Sequence, residues 1–125
     1  MREKLFRGKF GDEWKYGYLT IEPQGLAIKE PYECGASNIW CINPETVGQY
    51  TGLNDKNGTK IFEGDILKFI DGDNEVSYYE VVYSEANCRW IIKQDGACPD
   101  DLDAFVTKYI TVAGNIHDNP ELLEE

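Results

Sequence analysis

Gln49-Tyr50-Thr51-Gly52-Leu53-Asn54-Asp55-Lys56-Asn57-Gly58-Thr59-Lys60-Ile61-Phe62-Glu63-Gly64-Asp65-Ile66 is the stretch that decides the fold. Asn57-Gly58 predicts a two-residue hairpin of the type I′ class, because both central positions of that turn need positive φ and this pair tolerates it. Thr59-Lys60-Ile61-Phe62 then forms the returning strand. Gly64-Asp65 breaks it before the apolar run Ile66-Leu67-Lys68-Phe69-Ile70. Glu63 and Asp65 could form a paired-carboxylate acid/base site. Asp65 binding the backbone of a tight turn accounts for the same residues with less, and Gly52 and Gly64 lack the spacing of a phosphate loop.

Working outward, the flanking sequence is also strand and turn. Trp14-Lys15-Tyr16-Gly17-Tyr18-Leu19-Thr20-Ile21 places Trp14, Tyr16 and Tyr18 on one face and Leu19 and Ile21 on the other. That pattern predicts a strand buried on both sides or seated at an oligomer contact, in preference to a base-stacking platform. Leu26–Lys29, Asn38–Ile42, Val76–Tyr83 and Cys88–Lys93 read as further strands, and 105–116 as one strand or two with a bend. Asn43-Pro44-Glu45-Thr46-Val47-Gly48 has the grammar of a short helical turn, with Asn as cap, Pro at the first helical position and Gly as terminator. Asn119-Pro120-Glu121 repeats it near the C-terminus.

The 125 residues carry 8 Tyr, 3 Trp, 5 Phe and 12 Gly, a composition of β structure and not of a disordered chain. The fold expected is mainly β with few short helical turns, and the length suits one domain of ordinary size or two small lobes. Taken as two subdomains, residues 1–48 are the irregular N-terminal β one, and its aromatic strand is the expected oligomerisation surface. Residues 49–125 form a C-terminal SH3-like barrel, inferred from strand count and turn spacing. No apolar run follows the basic start Met1–Arg7, and none approaches the length of a membrane span, so a soluble cytoplasmic protein is expected.

Charge separates the two ends. Residues 1–69 hold nine Lys/Arg and ten Asp/Glu, a net of −1, whereas residues 70–125 hold three and thirteen, a net of −10. Such a field repels a phosphate backbone, so direct nucleic-acid binding is not expected. A basic patch around Arg2, Lys4, Arg7 and Lys9 is weaker than its alternative, a solvated strand. Cys34, Cys41, Cys88 and Cys98 have neither zinc nor redox spacing. Reduced and at least partly buried thiols are favoured over a disulfide or a metal. Asp71, Asp73 and Glu75, and Asp100, Asp101 and Asp103, look like calcium loops but lack the twelve-residue layout with a terminal Glu. His117 beside Asp118 could be a general base, yet no nucleophile accompanies it. No cofactor, metal or catalytic residue is assigned, and an enzyme is not expected.

Glu45–Leu53, Asp55–Gly58, Ile61–Ile66 and the closing Gly114-Asn115-Ile116-His117-Asp118-Asn119-Pro120-Glu121-Leu122 resemble the YopX family, with support from Arg7-Gly8-Lys9 and Trp14–Leu19. The resemblance implies a small protein of phages and prophages, mostly β, built of two subdomains and homo-oligomeric, with no assigned catalytic residues. Gln49, Tyr50, Thr51, Gly52, Asp55, Gly58, Glu63, Gly64, Asp65, Gly114, Asn115 and Pro120 are its motif positions, expected to be structural. Trp14, Tyr16, Tyr18 and Leu19 are the candidates for self-association. Expected partners are further copies of the chain and a host or phage protein, with no membrane. The alternative is an acidic nucleic-acid mimic that blocks a host DNA-binding protein.

Overall fold

The computed structural model describes residues 5–30, 38–94, 99–104 and 106–123. The chain divides into two compact units, Met1–Tyr50 and Thr51–Glu125. The described secondary structure is antiparallel strand with two short 3₁₀ turns, so the mainly β class read from the sequence holds.

The first unit is built from β1 (Phe6–Phe10), β2 (Glu13–Glu22), β3 (Gly25–Lys29), β4 (Ile39–Cys41) and the start of β5 (Asn43–Asn54), in the order β4-β3-β2-β1-β5. Ten-residue β2 serves both neighbours. Its first half pairs with β1 (Phe6 opposite Gly17) and its second half with β3 (Leu19 opposite Ile28). Ala27, Ile28, Ile42 and Tyr50 are the buried apolar residues. Arg7 is buried as well, its guanidinium 4.6 Å from the Trp14 ring centre, with Lys9 Nζ at 5.4 Å. The basic patch considered for this end therefore does not include Arg7 as a surface charge, and Arg2 and Lys4 lie outside the described residues.

The helical turn expected at 43–48 is instead part of β5. Arg7 pairs with Gly48 and Lys9 with Asn43, so Gly8 alone stands opposite four residues of β5. The capping residues still act locally. Asn43 Oδ1 accepts from the Glu45 N–H at 3.1 Å. The Thr46 hydroxyl donates to the Asn43 carbonyl at 2.6 Å and accepts the Lys9 N–H at 2.8 Å. That last bond ties the segment to β1, so the local turn survives as a large bulge inside a strand.

β5 continues past Tyr50 into the second unit, followed there by β6 (Lys60–Phe62), β7 (Asp65–Ile70), β8 (Val76–Ser84), β9 (Arg89–Lys93), β10 (Asp100–Asp101) and β11 (Ile110–Asn115). The last five form an antiparallel sheet in the order β10-β9-β8-β7-β11. Among the described residues its edges are β10 and β11, and no ladder joins them into a closed barrel. Residues of one pleat face, Leu67, Val81, Ile92 and Ile110, bury together with Ile61 and Leu102 to make the core.

Three local expectations change. The Asp55–Thr59 hairpin is a three-residue loop and not type I′. Gly58 N–H bonds the Asp55 carbonyl at 3.0 Å, and of Asn57 and Gly58 only the glycine has positive φ, at 85°. This is a type I turn closed by a left-handed glycine. Residues 106–109, read as strand, form a 3₁₀ turn, because Asp103 Oδ1 accepts the Val106 N–H at 2.9 Å and the Thr107 hydroxyl donates to Ala104 O. Cys88 lies outside β9 at φ 53°, and both Cys41 and Cys88 are exposed thiols where the sequence favours burial. Cys34 and Cys98 lie outside the described residues. The terminal helical turn is present as a 3₁₀ turn at Pro120–Leu123. Among the described residues no helix is long and apolar enough to cross a membrane.

Candidate functional site

Two regions gather the residues singled out in the sequence. In the second unit, the separate motif segments 55–66 and 112–120 meet along β7 and β11. A bulge makes this possible. Val112 pairs with Leu67 but Gly114 pairs with Ile66, so Ala113 is extra and Asn115 comes to stand opposite Asp65.

The side chains at this junction are occupied with backbone groups. Asp55, 7% exposed, accepts from the N–H groups of Asn57 and Thr59 through Oδ1, both at 2.9 Å. Its Oδ2 accepts the Val112 N–H at 2.9 Å, and the Lys56 N–H reaches the Ile110 carbonyl at 3.2 Å. The hairpin turn is thereby laid along the outer edge of β11. Asp65 is 1% exposed and accepts the Phe62 N–H at 2.7 Å across the Glu63-Gly64 turn. The Thr51 hydroxyl donates to the Ile61 carbonyl at 2.9 Å. Gly52 and Gly64 stand at φ 88° and 89°, in the left-handed region that glycine adopts without strain.

Asn115 organises the second motif. Its Oδ1 accepts from the N–H groups of His117 and Asp118 at 3.0 and 2.9 Å, and its Nδ2 donates to Asp118 Oδ2 at 3.2 Å. Asn119 returns the interaction, accepting the Asn115 N–H at 3.3 Å. Any Cβ on Gly114 would collide with the Asn119 side chain, which explains the glycine. The Ile116 N–H bonds the Gly64 carbonyl at 2.9 Å and joins the two motifs. The sequence reads Asn119 as the cap before Pro120, but its reach back to Asn115 is a tertiary fact.

The second region is β2. Strand alternation puts Tyr16 and Tyr18 on one face, at 44% and 54% exposed. Tyr18 lies opposite Lys29 and Lys29 opposite Ile39, which is 48% exposed, so these three make one cross-strand row. Ile21 is 86% exposed on the other face. The expectation that this strand is buried on both sides within the chain is not met. Of the four self-association candidates, Trp14 is half-buried beneath Arg7 and Lys9, and Leu19 is half-buried, while Tyr16 and Tyr18 face outward. Ile39 and Ile21 escape notice as surface residues in the sequence, since an isoleucine in a strand pattern reads as core.

The acidic turns are likewise occupied. Asp71 Oδ1 accepts from the N–H groups of Asp73 and Glu75 at 2.8 and 3.0 Å. Asp101 pairs with Arg89 at 2.6 Å. Among the described residues no cluster of three or more His, Cys, Asp or Glu could hold a metal ion.

Comparison with known proteins places this architecture. The family model described as YopX protein matches residues 10–124, and the chain belongs to that family. Among solved structures it is similar to yopX from Bacillus subtilis, with a TM-score of 0.65 at 19% identity, covering 99% of this chain and 100% of that one. It is also similar to protein EF1440 from Enterococcus faecalis, with a TM-score of 0.59 at 26% identity and the same coverage. No curated protein matches the chain.

Proposed function

We propose that this YopX-family chain is a non-enzymatic interaction module, encoded by a phage or prophage, that self-associates in the host cytoplasm through the β2 face. The observation that carries this is the outward row of Tyr18, Lys29 and Ile39 with Tyr16 beside it. Tyrosine presents a large apolar body with a polar tip, which suits a surface that is covered part of the time. Full burial of a single isoleucine is worth about 2 kcal/mol, so a symmetric contact that repeats the row gains twice from each residue. The motif carboxylates support the non-enzymatic reading, because Asp55 and Asp65 accept backbone N–H groups. Sedimentation velocity at micromolar concentration tests the proposal. The wild type should exceed the 14.3 kDa monomer mass, and Tyr18→Ser with Ile39→Ser should return it to monomer. A wild type that sediments only as monomer would refute it.

The charge of the second unit favours a further reading, an acidic mimic that occupies a host DNA-binding protein. Residues 51–125 hold six Lys/Arg and sixteen Asp/Glu, a net of −10. Affinity purification from host lysate should then recover a DNA-binding protein that salt releases. Recovery of none, or recovery unaffected by salt, would exclude it.

A further inference from the structure

Asn57-Gly58, at the tip of the β5–β6 hairpin, carries a chemistry that neither reading uses. Among the asparagines of the chain only Asn57 precedes a glycine. The pairing matters because asparagine is thermolabile: the next backbone nitrogen can attack its side-chain carbonyl carbon, and a side chain on that next residue obstructs the approach. Asn57 and Gly58 are both exposed, and a Cβ placed on Gly58 would meet nothing within 4 Å, so the surroundings leave room for the ring that forms. Asn43 and Asn119 precede proline, whose nitrogen has no proton to give up.

The closed turn holds this chemistry back. The Gly58 N–H, whose nitrogen must attack, donates to the Asp55 carbonyl at 3.0 Å. The N–H groups of Asn57 and Thr59 both donate to Asp55 Oδ1 at 2.9 Å, so the chain on either side of the reacting bond is tied to one carboxylate. The Asp55 N–H completes the frame on the Thr59 carbonyl at 2.8 Å. Reaction therefore waits on local opening, which an exposed hairpin tip undergoes far more often than a buried strand.

We infer that Asn57 is a site of spontaneous deamidation and that its isoaspartate product unfastens the hairpin from β11. When the turn opens, the Gly58 nitrogen gives its proton to hydroxide and forms a bond to Asn57 Cγ. The Cγ–Nδ2 bond then breaks, and Nδ2 leaves as ammonia after taking a proton from water, which restores the hydroxide. Water opens the resulting five-membered imide. Attack at Cγ gives aspartate, whereas attack at the Asn57 main-chain carbonyl carbon gives isoaspartate, in which the chain runs through Cβ and Cγ. The isoaspartate path adds one backbone atom between residues 57 and 58. The N–H groups of Gly58 and Thr59 lie beyond that insertion, so their bonds to Asp55 lose register. Asp55 Oδ2, which accepts the Val112 N–H at 2.9 Å, then sits on a carboxylate that the turn no longer holds in place. Every residue involved belongs to the second unit, so the inference stands without self-association through β2.

The test is prolonged incubation of the full chain at mildly alkaline pH, native and in unfolding urea, read by tandem mass spectrometry that separates isoaspartate from aspartate. Asn57 should be the first asparagine converted, at a rate about tenfold or more higher in urea. In the purified isoaspartate form, amide hydrogen exchange at Thr59 and Val112 should rise about tenfold or more, with buried Val81 unchanged. Asn57→Asp reproduces the aspartate product on an ordinary backbone, and as an exposed change it should keep wild-type exchange at Val112. Four outcomes would overturn the inference. Another asparagine converted ahead of Asn57 would move the site, and equal rates with and without urea would deny the turn its restraint. Unchanged exchange at Val112 in the isoaspartate form would separate the modification from β11. An equal rise in Asn57→Asp would assign the loosening to charge and not to the lengthened backbone.

Discussion

The motif junction of the second unit and the β2 face of the first treat their distinctive residues in opposite ways. At the junction, Asp55, Asp65 and Asn115 point inward and bond backbone groups within the unit. On β2, Tyr16, Tyr18 and the neighbouring Ile39 point outward with large apolar area in solvent. The motif residues of the junction are thus a device for joining strands, whereas Tyr16, Tyr18 and Ile39 leave much of their surface in solvent. Two turns in the second unit show the same division in miniature. Asp55–Thr59 and Asp71–Glu75 share one network: the aspartate carboxylate accepts two N–H groups, and a left-handed residue, Gly58 or Asn74, closes the loop. Only Asp55 is buried and reaches a third N–H, 57 residues away at Val112.

That contrast sets the size of the expected effects. Asp55→Ala leaves three N–H groups without their acceptor, one of them on β11, and should cost about 3–4 kcal/mol in urea unfolding. A loss no larger than that of Asp71→Ala would erase the distinction between the turns. Gly114→Ala forces Asn119 aside and should cost about 2 kcal/mol, with Asn119→Ala in the same chain recovering part of it. Asp71→Ala, on an exposed turn, should cost about 0.5–1 kcal/mol. Tyr18→Ser with Ile39→Ser should change the stability of the isolated chain by about 0.5 kcal/mol or less, since both are exposed. Its effect belongs to assembly mass, and a large loss of stability would mean that these residues pack within the chain.

The strands are legible in the sequence because β-branched and aromatic runs are bounded here by Gly, Asn and Asp, and Asp65 is legible as a turn residue because its partner, Phe62, is three positions away. Legibility fails where a distant partner decides. The cap grammar at Asn43-Pro44 is real, but the bond from Lys9 to Thr46 makes a bulged strand of it. Val106 and Thr107 look like strand residues until Asp103 and Ala104 bind them into a 3₁₀ turn. Alternation tells which residues of β2 share a face. It carries no information on whether anything covers that face, which depends on elements far away in the chain.

Sedimentation velocity of the wild type and of the Tyr18→Ser, Ile39→Ser pair, compared at equal micromolar concentration, tests the division most directly. The account predicts a mass above 14.3 kDa for the wild type and monomer for the variant, with unfolding midpoints in the monomeric range that differ little. Equal masses for the two proteins would contradict it and return the function to the second unit.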